Sequence, residues 1–197
     1  MKALWAVCEA FTEEECEWII QTIKKEKPTW AETGRPGGDL NKIFEHRRSK
    51  VFWITPNHPQ LFYIHKRYWE IVTSINNDFY KAHITDLPPI QFTQYSDQYQ
   101  GEYKMHMDLN WLETHVHAAN PNHQRKISAI VQLSNPNSYE GGTFEFGPEV
   151  PEKPSQEIVR KRGMMTVFPS FLHHAVHPVT KGIRYSLVGW FEGPPWR

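Results

Sequence analysis

A chain of 197 residues and 23.2 kDa fits one globular domain. Lys+Arg and Asp+Glu are both 22, so the formal charge is zero and supplies no electrostatic case for a nucleic-acid or anionic-membrane partner. No run approaches the roughly 18 apolar residues of a spanning helix, Met1–Glu9 turns acidic too soon for a secretory signal, and two cysteines, Cys8 and Cys16, exclude a disulfide framework. The expectation is a soluble, cytoplasmic, single domain over 1–197, with a helical support region (1–89) and a β core (90–197).

Thr12 and Glu15 stand at capping-box spacing, with acids in the first turn. Cys16, Trp18, Ile19, Ile20 and Ile23 supply an apolar stripe, and three lysines precede Pro28. Thr29–Asn41 carries Gly34, Pro36, Gly37 and Gly38 and reads as a loop, and Arg48–Thr55 as a strand. From Gln60 to about Ala82, Leu61, Ile64, Tyr68, Ile71, Ile75 and Phe79 recur at helical spacing. After Pro88-Pro89 the period falls to two. Strands are expected at Ile90–Tyr95, Tyr103–Asp108, Lys126–Ser134, Thr143–Phe146, Met164–Phe168, Ala175–Pro178 and Arg184–Phe191. Trp111–Gln124, with His115, His117 and His123, reads as a surface loop over one mouth of the sheet. Helices followed by many short strands imply a mainly β, α+β fold, a sandwich or barrel buttressed by helices on one side.

His106-Met107-Asp108 closes a predicted strand, where residues i and i+2 share a face and can meet one metal ion. The run His173-His174-Ala175-Val176-His177 offers a third ligand, and Arg184 opens the last strand. Arg184 shares its face with Ser186, Val188 and Trp190, and an inward Arg needs a carboxylate, which its planar fork grips in a bidentate way. Two His and one carboxylate on a small β-fold form the facial triad of non-haem Fe(II) oxygenases. An inward Arg nearby suits the far end of a dicarboxylate chelating that metal. The joint reading is a site for Fe(II), 2-oxoglutarate and O2.

The stretch from Gln91 to Trp190 resembles the Fe(II)- and 2-oxoglutarate-dependent dioxygenases, nearest the prolyl 4-hydroxylase-like branch. The resemblance rests on Tyr103-Lys104-Met105-His106-Met107-Asp108, Gly141-Gly142-Thr143-Phe144, Phe168-Pro169-Ser170, His174, Pro178-Val179 and Gly182-Ile183-Arg184. It implies a double-stranded β-helix (jelly-roll) core with His106, Asp108 and His174 as metal ligands and catalytic centre. It further implies 2-oxoglutarate held by Arg184 and Ser186, with Tyr95 and Gln132 as further contacts, and ascorbate as an optional reductant. Tyr95 stands eleven residues before His106, further than the usual contact, and Gln132 replaces a Tyr frequent in relatives. Tyr103, Asn110, Trp111 and Trp190 are candidate substrate contacts, with the loops 29–41 and 113–124 framing the mouth.

Among the three neighbouring histidines, His173 lies on the opposite strand face and His177 leaves only seven residues to Arg184, which with the family register favours His174. His46, His58, His65 and His83 read as solvent-exposed or capping residues, and Arg47-Arg48 and Lys161-Arg162 as solvated turns. A filled Asp108 favours hydroxylation over halogenation. The expected substrate is a prolyl or other peptidyl residue, with a free amino acid, small metabolite or nucleic acid as alternatives. Trp190 stands where nucleic-acid demethylases carry a second Arg. A metal-holding binding module and a zinc hydrolase are the readings from other classes.

Overall fold

In the computed structural model, which describes residues 4–31, 40–109 and 122–196, the N-terminal segment forms β1 (Ala6–Glu9) and α1 (Glu13–Ile23). Thr12 Oγ1 accepts from the Glu15 amide at 3.2 Å, and the Glu15 carboxylate accepts from the Thr12 amide at 2.9 Å, so the capping box is closed in both directions. Cys16, Ile19, Ile20 and Ile23 are buried, but Trp18 is 49% exposed and lies off the stripe. The segment expected to be a loop from residue 29 to 41 begins with a short strand, β2 (Thr29–Trp30), and α2 (Leu40–His46) starts inside it. Residues 32–39 lie outside the described residues.

β3 (Arg47–Arg48) and β4 (Lys50–Ile54) follow, then α3 (Tyr63–Ile75), which buries Ile64, Tyr68 and Val72. The helix widens to a π-turn over Asn76–Tyr80, which rotates the apolar register and leaves Phe79 exposed rather than in the core. The remaining elements are β5 (Ile90–Ser96), β6 (Glu102–His106), β7 (Gln124–Gln132), β8 (Tyr139–Gly141), β9 (Phe144–Phe146), α4 (Gln156–Arg160), β10 (Met164–Pro169), β11 (His174–Val176) and β12 (Val179–Gly193).

Two antiparallel sheets face each other. The larger runs β1-β10-β7-β12-β5-β4-β2, with β8 joined to the start of β12, and the smaller runs β3-β6-β11-β9. Thus four strands from the first 89 residues complete both sheets, and that region is more than helical support. Alternation sorts the larger sheet into two faces. Ile54, Phe92, Ile127, Ala129, Val131, Leu187 and Phe191 pack with Ile19, Ile23, Ile64 and Tyr68 of the helices in one core. The other face meets the smaller sheet over Tyr95, Phe144, Phe146, Phe168, Leu172 and Val176. The candidate site lies on this inner side. Among the described residues no helix is long and apolar enough to cross a membrane.

The β7–β12 ladder slips once. Ile127 opposes Phe191, whereas Arg125 opposes Glu192, so Lys126 has no residue opposite it. Such a bulge reverses which residues face inward beyond it. Arg125 is thereby turned away from the apolar face of Ile127 and Ala129.

Candidate active site

His106 ends β6 and His174 begins β11, and these two residues are paired directly across the smaller sheet. Asp108 follows β6, held where its own amide and that of Leu109 both donate to the Ser170 carbonyl, each at 3.0 Å. One ligand atom from each of His106, Asp108 and His174 lies within 4.8 Å of the others. His106 Nε2 stands 3.7 Å from Asp108 Oδ1, and His174 Nε2 stands 3.4 Å from Asp108 Oδ2. Adjacent donors on a six-coordinate ion with ~2.1 Å bonds lie ~3 Å apart, so small side-chain rotations close this cluster on a metal.

The protonation states also suit a cation. Each imidazole has its Nδ1 on a backbone carbonyl, His106 on Lys104 at 2.8 Å and His174 on Leu172 at 3.0 Å. A carbonyl only accepts, so Nδ1 carries the hydrogen and the Nε2 lone pair faces the cluster. Burial, helped by the neighbouring His174, pushes the His106 imidazole down to about 3, and Asp108 opposes this only partly. Burial raises the Asp108 carboxyl, but His174, His106, Arg125 and the Ser128 hydroxyl together outweigh it and hold the group down to about 2. Ser128 Oγ donates to Asp108 Oδ2 at 2.6 Å and lies 2.9 Å from Ser170 Oγ. Two imidazoles with Nε2 turned to the cluster and an ionised carboxylate form the donor set a divalent iron requires.

Tyr103 stacks on the His106 ring, with centroids 3.4 Å apart and planes inclined by 14°. The Arg47 guanidinium lies 4.6 Å from the Tyr103 centroid, and its Nε donates to Ser49 Oγ at 2.7 Å. Arg47 is therefore buried behind a ligand ring, which corrects its reading as a solvated turn. Arg48 is not free either. It donates to the carbonyls of Tyr99 and Gln100 and pairs with Glu102 at 2.7 Å. Likewise Arg162 donates to the Leu133 carbonyl and pairs with Glu17 at 2.6 Å.

Arg184 sits on the inner face of β12, 3% exposed, opposite Tyr95 of β5. Its guanidinium is 5.6 Å from the Tyr95 ring, and no carboxylate of the described residues pairs with it. A buried guanidinium without a counter-ion is costly, so its surroundings suit an incoming carboxylate. Ser186, also buried, lies between Thr93 and Gln132 in the ladder. Gln132 Nε2 reaches the Ser134 carbonyl and Tyr139 Oη, each at 3.2 Å, while its Oε1 has no hydrogen-bond partner among the described residues. Gly142 has φ +60°, and a Cβ there would stand 3.0 Å from Arg184 Cδ and 3.1 Å from Tyr139 Cε2. Only glycine leaves this guanidinium stem its room.

Trp190 lines the same face, buried, with the Arg125 guanidinium 3.8 Å from its ring centroid and Trp53 of β4 6.0 Å away. Trp53 is half exposed and continues the inner face outward. Asn110, Trp111 and the loop histidines His115 and His117 lie outside the described residues. His123 pairs with Asp86 at 2.8 Å, His173 with Glu149 and His177 with Glu145. His58 Nδ1 accepts from the amides of Gln60 and Leu61, a capping role, whereas His65 is half buried rather than solvent-exposed.

Arg125, Arg47, Trp53, Ser128 and Tyr139 were not singled out as site residues by sequence. For Arg125, strict alternation along β7 points to the wrong face, because only the bulge turns it inward. Ser128 did carry a signal, since it is the one polar residue within the apolar run Ile127–Val131.

Comparison with known proteins gives the same outline. The sequence profile described as 2OG-Fe(II) oxygenase superfamily matches residues 90–192. A PKHD-type hydroxylase of Hyphomonas neptunium is 38% identical over 66 residues, covering 34% of this chain and 28% of that one. One from Psychrobacter is 33% identical over 106 residues, covering 54% of this chain and 38% of that one. The matched segments thus span well under half of these relatives' length. Among solved structures, a Pseudomonas putida prolyl-4-hydroxylase superposes with a TM-score of 0.70 at 17% identity, covering 98% of this chain and 94% of that one. A Trichoplax adhaerens prolyl hydroxylase, in complex with a hypoxia inducible factor peptide fragment, gives 0.72 at 15%, covering 95% and 83%. At these identities the structural likeness is one of fold, the jelly roll of prolyl hydroxylases.

Proposed function

This chain belongs to the 2OG-Fe(II) oxygenase superfamily, and from that premise we propose that it hydroxylates a prolyl or other peptidyl residue at the expense of 2-oxoglutarate and O2. The observation that carries the reading is the convergence of His106, Asp108 and His174 with a buried, unmatched Arg184 on one inner face. The overall balance is one C–H bond, 2-oxoglutarate and O2 giving one C–OH, succinate and CO2.

Fe(II) would be held by the Nε2 atoms of His106 and His174 and the carboxylate of Asp108, and supplies the activation of O2 that the side chains cannot perform. The chain supplies position. Carbonyls of Lys104 and Leu172 fix the two tautomers, and Ser128 fixes the carboxylate. Arg184 receives the far carboxylate of 2-oxoglutarate, with Ser186 beside it and Gln132 and Tyr139 at the edge of the same recess. Phe144, Phe146 and Phe168 wall the inner side against water. Trp190 and Arg125 face the opening where a peptide would enter. The relatives named for hydroxylases and the fold likeness to prolyl hydroxylases favour a peptidyl substrate over a free metabolite.

The test is anaerobic addition of Fe(II) and then 2-oxoglutarate, followed by visible spectroscopy. A metal-to-ketoacid charge-transfer band is expected in the wild type and none in His174→Ala. Folded wild-type protein that binds iron without showing the band would overturn the reading. Peptides recovered after admitting air are then searched by mass spectrometry for the gain of one oxygen.

A further inference from the structure

A second recess, with apolar walls and basic side chains, lies outside the metal cluster. It encloses about 470 Å3 between the segment that follows α3 and the last described residues. Lys81, His83 and Lys126 line it, Pro194, Pro195 and Trp196 form apolar walls, and among the described residues no acidic side chain lines it. In a chain of zero formal charge, that is a local surplus of cations.

The register slip in β7 leaves Lys126 without a residue opposite. Lys126 is 2% exposed, and its Nζ stands 4.0 Å from the Trp196 ring centroid. Among the described residues no carboxylate pairs with it. Cation–π contact compensates part of the lost hydration, but a buried ammonium remains short of a counter-ion. Burial pushes this amine down to about 8.

The recess is built rather than incidental. A Cβ at Gly193 would run into the His83 carbonyl, so glycine there lets the His83 segment close against β12. The Trp196 amide donates to Gln124 Oε1 at 3.1 Å, which fixes the indole wall. Lys81 is tied to the Asn77 carbonyl at the rim.

We infer that this recess binds the side-chain carboxylate of an acidic residue in the polypeptide substrate, a few residues from the one hydroxylated. The inference rests on the peptidyl-hydroxylase reading above. Its neighbour in sequence, Arg125, faces the active site against Trp190, so the recess and the site share one strand as a common wall. An extended peptide advances about 3.3 Å per residue, so a short stretch of it can reach from one side of that wall to the other. Proline and indole surfaces suit the methylene stem of a glutamate, with Lys126 and Lys81 at its charged end.

The probe is a set of labelled peptides with a central proline and one glutamate walked through the flanking positions, each matched by its glutamine counterpart. Binding to the full chain with Fe(II) and 2-oxoglutarate is followed anaerobically by fluorescence anisotropy. One register of glutamate is expected to bind about tenfold tighter than glutamine. Lys126→Met should erase that preference and Lys126→Arg should keep most of it, with the visible charge-transfer band reporting that both variants are folded. Equal binding in every register overturns the inference, as does a preference that survives Lys126→Met. So does loss of the preference to an equal concentration of acetylglutamate, the mark of a free small-anion site. Air is then admitted and products are read by mass spectrometry. Hydroxylation without a preference sinks only the recess. A preference without hydroxylation anywhere in the peptide, in this set and in sets with other central residues, sinks the peptidyl reading and, with it, the claim that the recess serves a substrate.

Discussion

In the proposed reaction, Arg184 is the residue assigned to the far carboxylate of 2-oxoglutarate. A bidentate, charge-assisted contact contributes about 1.5–3 kcal/mol, so Arg184→Gln is expected to weaken 2-oxoglutarate binding roughly 10- to 150-fold while leaving the three metal ligands in place. Titration of the anaerobic band checks this, and unchanged affinity would remove Arg184 from the recess. Gly142→Ala should act through the same guanidinium, since its φ of +60° and the 3.0 Å approach to Arg184 Cδ penalise any side chain. It is expected to cost about 1 kcal/mol in stability and to weaken 2-oxoglutarate binding as well, both measurable in one denaturation and titration series. His106 sets a pH response of the metal-free protein. Unfolded, it takes a proton near pH 6.5; folded, burial and His174 delay protonation to about 3. The unfolded chain therefore binds more protons in that interval, and stability falls as pH drops through 6.5 towards 3, by up to ~1.4 kcal/mol per unit from this residue. Urea midpoints of the wild type should fall more steeply on acidification than those of His106→Asn, and parallel curves would refute the assignment.

At the scale of elements, α1 shows how a local signal becomes structure. Thr12→Ala removes one half of the capping box and is expected to cost about 1 kcal/mol, visible as a lower melting temperature with the charge-transfer band intact. That helix start was readable because it depends on residues three apart. So were the strand positions of His106 and Arg184, because alternation and spacing are local properties, whereas β11 begins at His174, one residue ahead of the strand expected from Ala175. What the sequence did not yield depends on partners far along the chain. The bulge at Lys126 exists only against Phe191 and Glu192, and without it Arg125 falls on the apolar face. Arg47 read as a turn residue because its burial comes from Tyr103, more than fifty positions away. Phe79 read as core because a 3.6-residue period was carried across a π-turn.

At the scale of the molecule, the larger sheet is shared between two cores, one with the helices and one with the smaller sheet. Ligands that bind only the second side still stabilise the whole, because the sheet is common to both. Fe(II) with 2-oxoglutarate, at a hundredfold excess over the dissociation constant, should add about 2.7 kcal/mol and raise the anaerobic melting temperature by roughly 5–10 °C. A chelator should reverse the shift, and Arg184→Gln should lose only the part due to 2-oxoglutarate.

β12 carries Arg184 near its middle and Trp190 towards its C-terminal end, paired along its length with β5, β7 and β8. Six residues of extended chain make the distance between them about 20 Å, and that distance is set by the backbone rather than by any side chain. One inserted residue between them would turn Trp190 to the helical core, and two would move it a full repeat out of register. Descendants of this chain can therefore change what stands at position 190, or at 53 and 125 beside it, far more freely than how far it stands from position 184. Selection for a new substrate would be written in substitutions along this strand and in the lengths of the surrounding loops, with the strand's own length held constant.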